Sequence, residues 1–211
     1  MSGRPRKVTD SQLFAATHAV MHRVGPGELT LAAIAEEAGV TAAVLVQRFG
    51  SKRALLLALA EKYANSAGEL MASLARQHAS PLAAIRAYGD CMAGMATSPA
   101  AMARSLAYLQ IDLADPDFRR HLIKQARATR SGLRRLIRAA SKAGELAPLT
   151  PAGQLARTIE AVVTGSLLTW AFYRAGAAAR WVRADLDAVL APYVGQSSRP
   201  ASSRETRPAS R

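Results

Sequence analysis

The chain has 211 residues, half of them hydrophobic, one cysteine, and a formal net charge of +13 from 28 Lys and Arg against 15 Asp and Glu. That length and apolar content allow a sizeable core, the single cysteine (Cys91) excludes an internal disulfide, and the charge suggests a polyanionic partner without dictating a fold. The most apolar run, Thr158 to Tyr173, contains Glu160 and is too short to span a bilayer, and no signal-type apolar region opens the chain; a cytoplasmic protein with no membrane partner is expected.

Ala, Leu and Arg dominate, aromatics are scarce, and no stretch alternates long enough to argue for a strand, which predicts an all-α protein. Residues 1–8 form a basic arm expected to be disordered. Thr9-Asp10-Ser11-Gln12 reads as a capping box opening a helix over 10–24. Short helices follow over 31–38 and 42–48, separated by Gly39, which accepts the left-handed backbone a helix C-terminus needs, and by Thr41 as the next cap. Ala35 is small where those helices would cross, and Ile34, Ala38, Val40, Leu45 and Phe49 supply their inner contacts. The pattern is a helix-turn-helix, with an ordinary helical hairpin as the alternative.

A long helix over 52–78 runs out of these three. Ser80-Pro81, Ser98-Pro99, Asp115-Pro116 and Thr150-Pro151 each place an acceptor at the N-cap and a proline at the first helical position, predicting helices over 81–97, 99–113, 116–143 and 151–175. A ninth helix is expected over 180–194, and a disordered Ser/Pro/Arg-rich tail over 196–211. The domain reading is 9–55 and 56–195. Charge is uneven: residues 1–55 carry +3, the tail another +3, and 119–142 hold nine basic side chains with no acid. Those nine (Arg119, Arg120, Lys124, Arg127, Arg130, Arg134, Arg135, Arg138, Lys142) share one helix, read as a solvated face or, alternatively, a contact for an anion or DNA.

The segment Leu13 to Leu57 resembles the DNA-binding domain of the TetR family of bacterial transcriptional regulators. The resemblance rests on Gly25, Thr30, Ile34-Ala35, Ala38-Gly39-Val40-Thr41, Leu45, Phe49 and Ser51-Lys52-Arg53-Ala54-Leu55-Leu56. It implies a three-helix head whose third helix enters the major groove of a palindromic operator. Thr30 and Lys52 match phosphate-contacting positions, Ala42, Ala43, Val44 and Gln47 match base-facing ones, and Arg48 matches one that reaches a phosphate or base edge. Thr41 and Val46 complete the expected set, although Val46 stands where a phosphate-contacting tyrosine is common. Ala32 and Ala33 likewise stand where polar residues are frequent. Few hydrogen-bonding groups remain, so Arg4, Arg6 and Lys7 are read as an arm into the minor groove, or as a terminus that only aids solubility.

The same resemblance implies a larger C-terminal domain that forms homodimers and holds a small-molecule effector. Ile159, Val163, Leu167, Leu186 and Leu190 are expected at the dimer interface, together with Val162, Trp170 and Tyr193. Met71, Met92, Met95, Met102, Leu106 and Trp170 are expected to line the effector pocket, methionine being adaptable there and equally suited to core filling. Asp90 and Glu160 are the acids to watch for a cationic ligand. His18 and His22 have a helical metal spacing but no third ligand, Cys91 suits a buried structural thiol, and no catalytic constellation appears; neither an enzyme nor a cofactor is expected. The reading is a ligand-released repressor. The alternative is a sequence-nonspecific basic nucleic-acid-binding protein.

Overall fold

The computed structural model describes residues 8–194, and the described residues form α-helices joined by short turns. In order they are α1 (Asp10–Arg23), α2 (Leu31–Ala38), α3 (Ala42–Phe49), α4 (Lys52–Gln77), α5 (Pro81–Met95), α6 (Pro99–Ala114), α7 (Pro116–Lys142), α8 (Ala152–Tyr173) and α9 (Ala178–Leu190). An isolated antiparallel bridge pairs Leu146 with Val194 and closes the C-terminal end over α7. The expected arm, Arg4, Arg6 and Lys7, and the tail 196–211 lie outside the described residues.

Local chemistry sets most boundaries. At α1 the capping box is complete: Gln12 N–H donates to Thr9 Oγ1 and Thr9 N–H donates to Gln12 Oε1, at 3.3 and 2.9 Å. Ser51, Ser80 and Ser98 each accept a backbone N–H three residues on, and Asp115 accepts that of Asp117. Thr150 does not cap. Its hydroxyl donates back to Ala147 O at 2.6 Å, Pro151 occupies the N-cap position, and α8 begins one residue late. Thr41 stands at the N-cap of α3 but makes no side-chain cap bond either.

Two hydrophobic cores result. The first collects Leu13, Val20, Leu29, Ile34, Ala35, Leu45 and Leu55 from α1–α4, and it is closed by Tyr108, which belongs to α6. The second gathers Met71, Ile85, Leu133, Ile137, Leu155, Ile159, Val182 and Leu186 from α4, α5, α7, α8 and α9. α4 contributes to both. It crosses α7 at Gly132, where an added Cβ would lie 2.5 Å from Met71 Cβ and Cγ, so only glycine admits that approach.

Candidate nucleic-acid interface and the cavity behind it

α2 and α3 are joined through Gly39, whose φ of 66° and ψ of 33° lie in the left-handed region. Its N–H and that of Val40 fold back onto the α2 carbonyls, ending that helix within one residue and turning the chain sharply. Leu45 is fully buried and Phe49 half-buried, so one side of α3 is locked against the first core. The opposite side projects Ala43, Val46 and Gln47 outward, with Ala42 and Val44 half-buried beside them. Val46 is 48% exposed, an apolar side chain offered to solvent from a short helix. Thr30, exposed at the N-cap of α2, accepts Ala33 N–H at 3.1 Å.

The cations near this face are already engaged by the protein. Lys52 Nζ donates to Leu29 O at 2.8 Å, which holds its charge next to Thr30 and leaves two ammonium hydrogens free. Arg48, expected to reach a phosphate or base, donates from Nη1 to Val8 O at 2.6 Å and pairs through Nε with Asp10 at 2.7 Å. It thereby fixes the chain entering α1 against α3. Arg23 bridges to Glu37 at 2.6 Å and ties the end of α1 to α2. Thr30, Thr41, Ala43, Val46, Gln47, Arg48 and Lys52 are all exposed.

Behind the head lies a cavity of about 460 Å³ between α1, α4, α6 and α7. Its apolar walls include Met21, Leu56, Leu59, Leu109, Phe118 and Leu122, and its polar lining includes His18, His22, Tyr63, Asp112 and His121. Three tethers frame it. Arg104 Nε donates to His22 O at 2.6 Å, Tyr108 Oη to Val24 O at 3.3 Å, and the Arg53 guanidinium spans Asp115 and Asp117, each at 2.8 Å. Hydrogen bonds from Arg53 hold both carboxyls below the usual carboxylate range. Burial lowers the pKa of His18, helped by His22 with its ring 4.1 Å away, while burial pushes the Tyr108 phenol up to about 12. Asp112 is raised, first by burial and then by the charge of Asp115. The Nδ1 atom of His121 is buried with no hydrogen-bond partner.

This cavity is not the pocket expected from the sequence. Met71 and Trp170 are buried in the second core, Met92 and Met102 pack against it, Met95 is 50% exposed, and Leu106 is half-buried; none lines the cavity. Met71, Met92 and Met102 are core fillers here. Asp90 and Glu160, the acids marked for a cationic ligand, are paired with Arg183 and Arg130 at 2.6 Å each. Cavity residues come from four separated segments, so no local pattern marks them; only the unusual pair His18 and His22 hinted at the place.

The dimer residues need a similar correction. Ile159, Val163, Leu186 and Leu190 are at most 2% exposed, and Leu167 packs on the same core, so all five belong to the chain's own interior. The outward side of α8 and α9 is instead a shallow depression whose lining includes Thr158, Ala161, Val162, Gly165, Thr169 and Val189. Along α7 eight of the nine basic residues are exposed, and Arg130 is half-buried against Glu160. Among the described residues no group of three His, Cys, Asp or Glu could hold a metal, and no helix is long and apolar enough to cross a membrane. Cys91 is a free, half-buried thiol rather than a fully buried one.

Comparison with known proteins bears on both halves. The model for bacterial regulatory proteins of the tetR family matches residues 13–59, and that for the tetracyclin repressor-like C-terminal domain matches 107–186. No curated protein matches. Among solved structures, SmeT, the repressor of the Stenotrophomonas maltophilia multidrug efflux pump SmeDEF, is similar at 22% identity with a TM-score of 0.65, covering 96% of this chain and 98% of its own. Reduced Escherichia coli NemR is similar at 18% identity and a TM-score of 0.72, covering 90% and 100%. A TetR transcription regulator from Haloarcula marismortui follows the same fold at 15% identity and a TM-score of 0.70, covering 88% and 97%.

Proposed function

Because the chain belongs to the TetR family of transcription regulators, with its helix-turn-helix DNA-binding domain, we propose that it is a homodimeric repressor released from a palindromic operator by a small-molecule effector. The observation that carries the reading is α3: a short helix locked on one side by Leu45 and presenting Ala43, Val46 and Gln47 on the other. Exposed apolar side chains suit thymine methyls, and Gln47 suits the bidentate edge of adenine. Thr30 and Lys52 would hold phosphates on either side. The Arg48 guanidinium, engaged by Val8 and Asp10, acts chiefly by fixing the entry to α1. Base recognition then rests on Gln47 and apolar contacts.

Two heads must be spaced by a second copy, and the depression on α8 and α9 is the surface that suits one. Small residues at Ala161 and Gly165 let helices approach closely, and Val162 and Val189 supply apolar contact. Two-fold symmetry would set the reading helices about 34–36 Å apart. The effector site is assigned to the cavity between α1, α4, α6 and α7. A binding protein of this kind performs no catalysis and works by population shift between two dimer geometries.

The test is a titration against DNA upstream of the protein's own gene with excess random competitor. Retention of the specific complex supports the proposal, and equal competition by random DNA defeats it. The exposed basic face of α7 favours one rival reading, sequence-nonspecific binding, which predicts that equal competition together with a steep salt dependence.

A further inference from the structure

The cavity lining sorts its own charges. Arg53 is closed off by Asp115 and Asp117, while Lys52 donates one hydrogen to Leu29 O and keeps its charge next to Thr30. Tyr108 is spent on Val24 O and Ser105 on Ala101 O. The His18 and His22 rings lie 4.1 Å apart in a tilted arrangement, and burial keeps His18 towards its neutral form. Among the described residues Asp112 on α6 is the one lining acid with no hydrogen bond or ion pair, and it is half-buried; on α7 the Nδ1 of His121 is buried and unpartnered. Partial burial makes the Asp112 carboxylate less favourable than it is in water, and the buried imidazole nitrogen of His121 has no partner. Around them stand the aromatic rings of Tyr63, Tyr108 and Phe118 and several aliphatic side chains. Aromatic faces attract cations and repel anions.

We propose that this cavity binds a monovalent organic cation with a bulky apolar body, its charge held by Asp112. The inference rests on the effector reading above and deepens it. A volume of about 460 Å³ admits a ligand of drug size. Its positive charge would lie against the Asp112 carboxylate and the faces of the surrounding rings, an attraction that needs no donor hydrogen. Entry of such a body between α1 and α6 loads the same joint that Arg104, Tyr108 and Arg53 hold together, so occupancy bears directly on the position of the head.

The test uses two probes of nearly equal shape and opposite charge, tetraphenylphosphonium and tetraphenylborate, titrated calorimetrically into the full-length protein. The cation should bind more tightly than the anion by at least about tenfold. Asp112→Asn should weaken the cation by about tenfold and leave the anion unweakened, while Asp112→Glu, which keeps the charge, should retain the preference. Ala60→Trp, which fills the cavity from α4, should abolish cation binding. Equal or tighter binding of the anion, an Asp112→Asn variant that binds the cation like wild type, or full cation affinity in Ala60→Trp overturns the proposal. Circular dichroism confirms that each variant is folded. DNA binding is read separately. Cation binding that depends on Asp112 in a protein that ignores its upstream DNA would sink the repressor reading and leave this site standing; the reverse outcome would sink the site alone.

Discussion

Gly39 and Asp112 carry the two residue-level arguments. Gly39 turns the chain with a φ of 66°, and nothing lies within 4 Å of where its Cβ would be. A side chain there meets no steric obstacle, only the left-handed backbone. Gly39→Ala should therefore destabilise the protein by about 1–2 kcal/mol, read by chemical denaturation, and should loosen the angle between α2 and α3. Asp112 acts in the opposite direction. Its pKa is raised by burial and by Asp115, so the folded state holds its proton more strongly than the unfolded chain. That contribution is fully present below the ordinary carboxylate value and is lost as pH rises through the elevated folded one. Asp112→Asn should accordingly melt like wild type in acid and at higher temperature near neutral pH. Thermal scans across that range check it, and an unchanged melting difference at all pH values would contradict it.

At the scale of the element, helix starts were legible from sequence because a cap is a local bargain between a side chain and an N–H three residues away. Thr9, Ser80 and Ser98 all behave so, and Asp115 does the same one residue closer, at Asp117. Thr150 fails because its hydroxyl finds Ala147 O first. The faces of α8 and α9 were not legible. α8 is apolar around much of its girth, so periodicity alone did not say whether Ile159 and Val163 or Ala161 and Val162 turn inward. That choice is made by packing on α7 and α9, which no local pattern encodes. The α4–α7 crossing offers a sharper check. Gly132→Ala drives a methyl into Met71 at 2.5 Å, and Met71 is itself only 2% exposed. Overpacking of that kind costs about 1–3 kcal/mol. Denaturant midpoints would show it, and a stability equal to wild type would mean that the two helices part more easily than their packing suggests.

For the whole molecule the fold class followed from composition and from helix caps along the chain, and the helix-turn-helix domain from short-range signals between Thr9 and Leu57. The cavity did not. It is assembled from α1, α4, α6 and α7, and its key acid, Asp112, sits on a helix with no motif of its own. The proposed dimer belongs to this scale too. Gly165 lies exposed in the depression on α8, and its replacement by arginine adds bulk and charge without touching either core. Gly165→Arg should yield folded monomers in sedimentation velocity and lose operator binding with them. A dimer of wild-type strength would move the interface elsewhere.

Tyr108 has a consequence for how freely such a head could be exchanged. Its ring completes the hydrophobic cluster around Leu13, Ile34 and Leu45 although it stands more than fifty residues downstream of Leu55. A fragment cut after α3 or early in α4 would therefore expose apolar surface that the intact chain covers. Grafting the first fifty-odd residues onto another scaffold would succeed only where that scaffold brings an aromatic side chain to the same spot. The head is less a detachable module than one lobe of a shared interior.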